Sequence, residues 1–566
     1  MTAPSLLRPV TSLRALTEQR AAASPDAEML VDENGQRVTF GEFQRRAAQA
    51  AAALTARGVG PGSPVSWQLP TSVDTFVLAA ALARVGAVQN PVIPGYGARN
   101  LEFVTRQTGA RLLIAAAWWN GRDLGADARA VAAAVPGLEV LVLDGSAELP
   151  AALAGGATEP AGSTVGAGGP VRRSRAHDQP PSSSWPPPPP VLRRLQEHRR
   201  DEWAELPVRW IFYTSGTTAE PKGARHTDAS VCASAYGLAS ALGITSADRA
   251  GLVFPAAHIG GVGTWLGASL MTGCALILDS AFDIKRTTEL LRRERITLAG
   301  AGTVFTQLYL DEQRAHPQQR LFPDARVYTA GAAPRPPSLH EEVKQWLGGI
   351  GVLSGWGMTE APISTMAAVT DPDEVLATTE GRPCPGVSFK VTGPDGRELR
   401  PGEPGELRVR GPNVMRGYAD EALNGSAFDE AGYLITGDLG FLDTAGYLTI
   451  TGRLKDVIIR NGETLSARAV ELELLTHPAV ADAAVIGLPH PVQGELACAV
   501  VVPADPGRPP TLEDIAGYLR GRGLPPVQWP QRLEIAAGLP RNPAGKVLKD
   551  ALKARLTRGA GDVSGR

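Results

Sequence analysis

The sequence predicts an α/β protein. It has a large N-terminal region of several subdomains on parallel-type sheets, a β-rich subdomain, and a small α+β unit at the C-terminal end. Three observations carry this prediction. Over the first two-thirds of the chain, segments of helical period alternate with short apolar runs, the pattern of parallel strands covered by helices on both faces. Beyond about residue 380, Gly, Pro and Asp turns separate short strands. After Arg453 a compact α+β pattern resumes to about Lys553.

The elements follow in order. Phe43 to Arg57 is Ala-rich with a helical period, and Val65 to Leu69 is strand-like. Asp74 to Gly86 reads as a helix closed by glycine, which tolerates the left-handed conformation of a C-cap. Leu112–Ala115 and Val140–Leu143 are apolar runs of strand length. Gly155 to about Pro207 breaks the pattern: Gly, Ser, Thr and Pro dominate, Pro186 to Pro190 is unbroken proline, and two Arg-Arg pairs follow. A disordered insertion of polyproline II character is expected there. Ala256 to Leu278 lacks Lys, Arg, Asp and Glu and is long enough to span a bilayer. Its five glycines, His258 and the Thr272-Gly273 turn favour a buried helix followed by a buried strand. Gly405–Arg410 and Tyr447–Ile450 read as strands of the β-rich part, and Ala554–Arg566 as a flexible tail.

Composition narrows the functional classes. The 566 residues carry 56 Lys+Arg against 58 Asp+Glu, which excludes a whole-surface basic field for nucleic acid. The four cysteines are scattered, with no CxxC and no Cys/His cluster, so neither a disulfide framework nor a structural zinc site follows. Free thiols and the lack of an apolar core in Met1–Asp26 are expected of a cytoplasmic protein without a membrane span.

The sharpest motif runs from Tyr213 to Gly223 and follows the strand-like Trp210-Ile211-Phe212. Thr214, Ser215, Thr217 and Thr218 surround Gly216, so backbone N–H groups and hydroxyls can converge on an anion. Lys222 adds a point charge for phosphate. The order GxxxxGK[ST] is absent, because Gly223 follows the lysine, so this is not a Walker A loop.

This string resembles the phosphate-binding loop of the adenylate-forming superfamily, and further motifs of that family follow in order. Phe254 to Gly261, with His258, is similar to the aromatic/His motif beside the acyl pocket. Gly331-Ala332-Ala333-Pro334 is similar to the adenine-contacting segment. Gly355-Trp356-Gly357-Met358-Thr359-Glu360 is similar to the Y-G-x-T-E motif, with Trp356 where tyrosine is usual. Thr436-Gly437-Asp438 resembles the ribose motif, Gly452 to Asp456 the hinge, and Pro540 to Lys546 the catalytic-lysine loop. The resemblance implies an adenylation core over 1–452, interrupted by the 155–207 insertion, then a small mobile α+β lid over 453–553 and the tail.

It also implies roles and partners. A carboxylic acid, ATP and coenzyme A are the expected substrates, with Mg²⁺ as cofactor. Lys546 bridges the acyl oxygen and the α-phosphate; Glu360, with Thr217, holds Mg²⁺; Asp438 and Arg453 take the ribose; His258 gates the acyl pocket. Lys455 is the hinge, and Asn461-Gly462 lines the thiol path. Expected pocket residues are His258, Ile259, Gly261, Thr264, Gly302, Thr303, Val304 and Gly331, whose glycines imply room. Ile259 to Leu278 holds no acid to pair with an ammonium, which disfavours amino acids. A medium-length aliphatic, alicyclic or polycyclic acid is expected, and 258–279 and 451–475 most resemble actinobacterial fatty-acyl and cyclohexanecarboxylate CoA ligases. The 78-residue step from Glu360 to Asp438 leaves little room for the insertion of fatty acyl-AMP ligases. Coenzyme A is therefore favoured as acceptor, an acyl carrier protein being the alternative. Both a monomer and a homodimer are compatible with the sequence.

Overall fold

The computed structural model describes residues 12–146, 148–154, 206–214, 221–300, 302–331, 333, 335–460, 463–490, 492–542 and 545–560. Apart from Leu206 and Pro207, the expected insertion lies outside them.

Two sheets carry the N-terminal region. In the larger, six strands run parallel: Val352–Met358, Val327–Ala330, Leu298–Gly300, Arg249–Leu252, Ala275–Leu278 and Glu28–Val31, in that spatial order. Ala361–Met366 and Arg382–Pro383 extend it antiparallel on one side, and Arg37–Thr39 on the other. In the smaller, Trp210–Tyr213, Val88–Pro91, Pro64–Gln68, Leu112–Ala116 and Glu139–Leu143 are parallel, with Gly223–His226 antiparallel at the edge. Leu112–Ala116 is buried at every residue, which is why it reads as an unbroken apolar run rather than an alternating one.

The helix expected over Asp74–Gly86 is present. Val73–Val85 starts at Ser72, whose hydroxyl accepts from the Thr75 N–H, and ends at Gly86 with φ of +80°. It and Asp228–Ala241 bury nearly all their residues, so neither shows a polar stripe in the sequence. The uncharged segment 256–278 folds as a wide π-helical turn, Ile259–Trp265, then Leu266–Thr272 and the buried strand Ala275–Leu278. Among the described residues no helix is long and apolar enough to cross a membrane.

The β-rich part is a four-stranded antiparallel sheet of Ser388–Thr392, Gly405–Arg410, Leu434–Leu442 and Leu448–Arg453. Past the one-turn 3-10 segment Leu454–Asp456, five strands form a separate sheet. Gly494–Pro503 runs antiparallel to Val480–His490 and parallel to Arg532–Ile535. The helix Lys549–Ala560 runs through the residues expected to begin a flexible tail. Leu552 is buried and Leu556 packs on the cluster of Ala484, Ile486 and Val500, contacts that no local pattern announces.

One glycine decides the path of the 254–262 turn. His258 N–H bonds to the Pro255 carbonyl at 3.0 Å and Val262 N–H to that of Ala256 at 2.9 Å. A Cβ on Gly261 would lie 2.4 Å from the Ala256 oxygen. Gly261→Ala is therefore expected to destabilise the fold by ~1–3 kcal/mol through overpacking, read as a lower midpoint in denaturant unfolding.

Candidate active site

The C-terminal ends of three neighbouring parallel strands form a floor of bare backbone. Gly302 has φ of +149° and Gly331 of +159°. A Cβ on Gly302 would meet the Gly331 oxygen at 3.3 Å, and one on Gly331 the Gly355 oxygen at 3.4 Å. Crevices outside the carboxyl ends of parallel strands are where open α/β sheets bind ligands. Here the crevice is a cavity of about 220 Å³, with Gly331, Gly355, Trp356, Asp438 and Arg453 on one side and Lys546 on the other.

Asp438 is held from two directions. Antiparallel register sets it opposite Arg453, whose Nε lies 2.7 Å from Oδ1 in an ion pair. The Trp356 indole N–H donates to Oδ2 at 2.8 Å. The carboxylate is 3% exposed, and charge-assisted pairing is what makes such burial tolerable.

Glu360 sits in the turn between Val352–Met358 and Ala361–Met366. Burial raises its pKa, against the Tyr418 hydroxyl, which donates to Oε1 at 2.8 Å, and the charges of Lys222 and Arg453. The Lys222 ammonium lies 5.5 Å over the Tyr418 ring. Behind the turn, buried His226 donates from Nε2 to the Thr359 carbonyl at 2.8 Å and accepts at Nδ1 from the Ser230 hydroxyl at 3.0 Å. Burial pushes His226 down to about 4, so it stays neutral, as that tautomer requires. Tyr418 and His226 were not singled out from the sequence; they lie 58 and 133 residues from the groups they hold.

Lys546 reaches the cavity from the C-terminal unit. Its N–H donates to the Asn542 side chain at 2.9 Å, and Gly545, with φ of +83°, rests against Val304. Burial lowers the Lys546 pKa to about 8, helped by Arg453 and Lys455 and opposed by Asp438 and Asp456.

The expected acyl-pocket residues fall in two groups at the ends of the adjacent strands Arg249–Leu252 and Leu298–Gly300. His258 accepts from the Gly260 N–H at 3.1 Å and meets Phe254 edge-on at 6.2 Å. Burial pushes it down to about 4, so it stands as a neutral polar group. Ile259 is buried, and the Thr264 hydroxyl lies 3.2 Å from that of Ser234. At one of the glycines expected to make room, Gly261, the Ala256 backbone fills the space instead. In the second group Thr303 donates to the Gly331 carbonyl at 3.2 Å, and Val304 backs the lysine loop.

Gly357 and the exposed Lys455 also line the cavity, and Lys455 lies 4.0 Å from Asp550. Thr214 and Lys222 join their backbones at 3.0 Å. Ser215, Gly216, Thr217, Thr218, Ala332, Pro334, Asn461 and Gly462 lie outside the described residues.

A family model described as AMP-binding enzyme matches residues 17–419, and one described as AMP-binding enzyme C-terminal domain matches 469–546. A medium-chain fatty-acid–CoA ligase of Escherichia coli K12 is 28% identical over 97% of this chain and 91% of its own. A 3-[(3aS,4S,7aS)-7a-methyl-1,5-dioxo-octahydro-1H-inden-4-yl]propanoyl:CoA ligase of Rhodococcus jostii RHA1 is 31% identical over 96% and 99%. The crystal structure of ATP-bound MatB from Rhodopseudomonas palustris superposes with a TM-score of 0.79 at 27% identity, covering 96% of this chain and 99% of that one. With its parallel-strand crevice, its buried Asp438 paired to Arg453 and both family models in sequence order, the chain belongs to the AMP-binding enzyme family.

Proposed function

We propose that the protein activates a carboxylic acid with ATP and passes the acyl group to the thiol of coenzyme A. The observation that carries this reading is the meeting of Lys546 with Asp438 and Arg453 across one cavity. In the first half-step a carboxylate oxygen attacks the α-phosphorus, the bond to the β-phosphate oxygen breaks and pyrophosphate leaves. Two anions approach each other, so charge neutralisation dominates the barrier. The Lys546 ammonium neutralises both, and Asp438 with Arg453 orients the ribose. In the second half-step the thiolate attacks the acyl carbon and AMP departs with the acid's former oxygen.

The donor set suits Mg²⁺, which favours one or two carboxylates completed by phosphate oxygens. Glu360 would hold it, with Thr217 as second ligand. When bound, the ion draws charge off the phosphate oxygens. The acid is an apolar one, aliphatic, alicyclic or polycyclic: the described residues of 256–278 carry no formal charge, and His258 is neutral. We assign the moving lid to the unit after Arg453, with Lys455 as hinge. Its exposed side chain and one-turn setting between two sheets suit a residue that must change backbone conformation. Lys455→Pro is accordingly expected to slow thioester formation more than adenylate formation, measured by single-turnover assays of each step.

The deciding assay supplies a panel of such acids, ATP and Mg²⁺ with either free coenzyme A or a phosphopantetheinylated carrier protein. Acyl-CoA formation supports the assignment. Efficient carrier loading with no acyl-CoA from any acid would replace it with a carrier-loading adenylation enzyme.

A further inference from the structure

The indole of Trp356 does more at this site than present an aromatic face. Its ring is wedged edge-on against Phe389, with centroids 5.6 Å apart, and its backbone N–H donates to Thr365 Oγ1 at 3.1 Å. Ring and backbone are thus fixed, and the indole N–H is delivered to Asp438 Oδ2 at 2.8 Å inside a buried setting. Arg453 Nε lies 2.7 Å from Oδ1 as an ion pair, and the arginine's Nη2 donates to Oδ2 only at a long 3.5 Å.

A carboxylate offers about four lone-pair sites, two on each oxygen. With Oδ2 held chiefly by the indole and Oδ1 held against the guanidinium, each oxygen keeps an acceptor direction for a ligand and the carboxylate is fixed in rotation. Two adjacent hydroxyls are what such an arrangement recognises. A phenylalanine in place of Trp356 supplies no donor, and a tyrosine moves the donor from the edge of the ring system to its tip. Without the indole N–H, Oδ2 is tethered only by the long Arg453 contact, and the carboxylate can turn about its last bond.

We propose that Trp356 is a positioning residue that acts through Asp438, fixing the carboxylate so that it reads both hydroxyls of the nucleotide's ribose. This rests on the reading of Asp438 as the ribose acceptor. It separates from the alternative that Trp356 only fills the apolar cluster it shares with Val391, Leu407 and Val409.

The test compares kcat/KM for ATP with that for 2′-deoxy-ATP and 3′-deoxy-ATP, in carboxylate-dependent pyrophosphate exchange, for the unaltered protein and Trp356→Phe. The ratio of two substrates on one preparation does not depend on the fraction of active protein. The unaltered protein is expected to prefer ATP. In Trp356→Phe the preference over each analogue is expected to shrink about tenfold, the size of one hydrogen bond to a charged group, with ATP losing far more than either analogue. Equal losses for all three nucleotides, leaving the preference intact, would overturn the proposal in favour of plain packing. If Trp356→Phe does not fold, Trp356→Tyr is put through the same comparison, with the same shrinkage expected and the same intact preference overturning it. Absence of any preference in the unaltered protein would instead refute the ribose reading of Asp438, a separate failure.

Discussion

Lys546→Ala is expected to lower adenylate formation by ~10²–10³-fold, the loss that follows removal of one preorganised group facing developing charge. The lysine is held for that purpose: Asn542 and Gly545 shape its loop against Val304, and the ammonium enters a cavity that already holds Arg453. Thioester formation from supplied acyl-adenylate should stay within a few-fold of the parent, because both anions have by then been joined. Single-turnover assays of the two half-steps check this, and equal loss in both would contradict the role. A pH profile adds a second readout. Burial brings the Lys546 pKa down from 10.5 to about 8. The ammonium is therefore intact below that value and is lost as pH rises through it. Because kcat/KM reports the free enzyme, kcat/KM for ATP in the first half-step should fall above about pH 8. Lys546→Ala should lack this limb.

Glu360→Gln is expected to cost the first half-step ~10²-fold or more by the same electrostatic argument, while leaving the fold nearly intact. A glutamine oxygen still accepts from the Tyr418 hydroxyl, and the His226 bond to the Thr359 carbonyl is untouched. What disappears is the negative charge that burial already makes costly to keep, a cost that serves no packing purpose. The signature is a higher Mg²⁺ concentration for half-maximal rate, measured by pyrophosphate exchange across a Mg²⁺ titration, with an unchanged melting temperature. An unchanged Mg²⁺ dependence would remove Glu360 from the metal site.

The contrast between these residues and their supports explains what the sequence disclosed. Asp438 and Arg453 were legible through the resemblance of Thr436–Asp438 and Gly452–Asp456 to family motifs; on local features Asp438 reads as a turn residue, and the structure puts it on a strand in antiparallel register with Arg453. Lys546 was legible because Pro540 to Lys546 resembles the family's catalytic-lysine loop; by local features alone it reads as a solvated lysine on a Gly loop. Tyr418 and His226 carry no such mark. Each becomes meaningful only when strands distant in sequence bring it behind the 359–360 turn. Glycine was misread for a related reason: at Gly261 the missing side chain admits the Ala256 backbone, and composition alone does not say whether a neighbour or a ligand takes that space. The helix through Ala560 is another tertiary effect, secured by Leu552 and Leu556 on a sheet that the polar sequence around them does not suggest.

The central claim is that an oxygen of the organic acid attacks the α-phosphorus of a nucleotide held between Asp438 and Lys546. Isotope transfer tests it most directly. With a carboxylate substrate labelled with ¹⁸O in both oxygens, plus ATP, Mg²⁺ and coenzyme A, mass spectrometry of the products should find one heavy oxygen in AMP and none in pyrophosphate. Label in pyrophosphate or in inorganic phosphate, or ADP in place of AMP, would contradict the account.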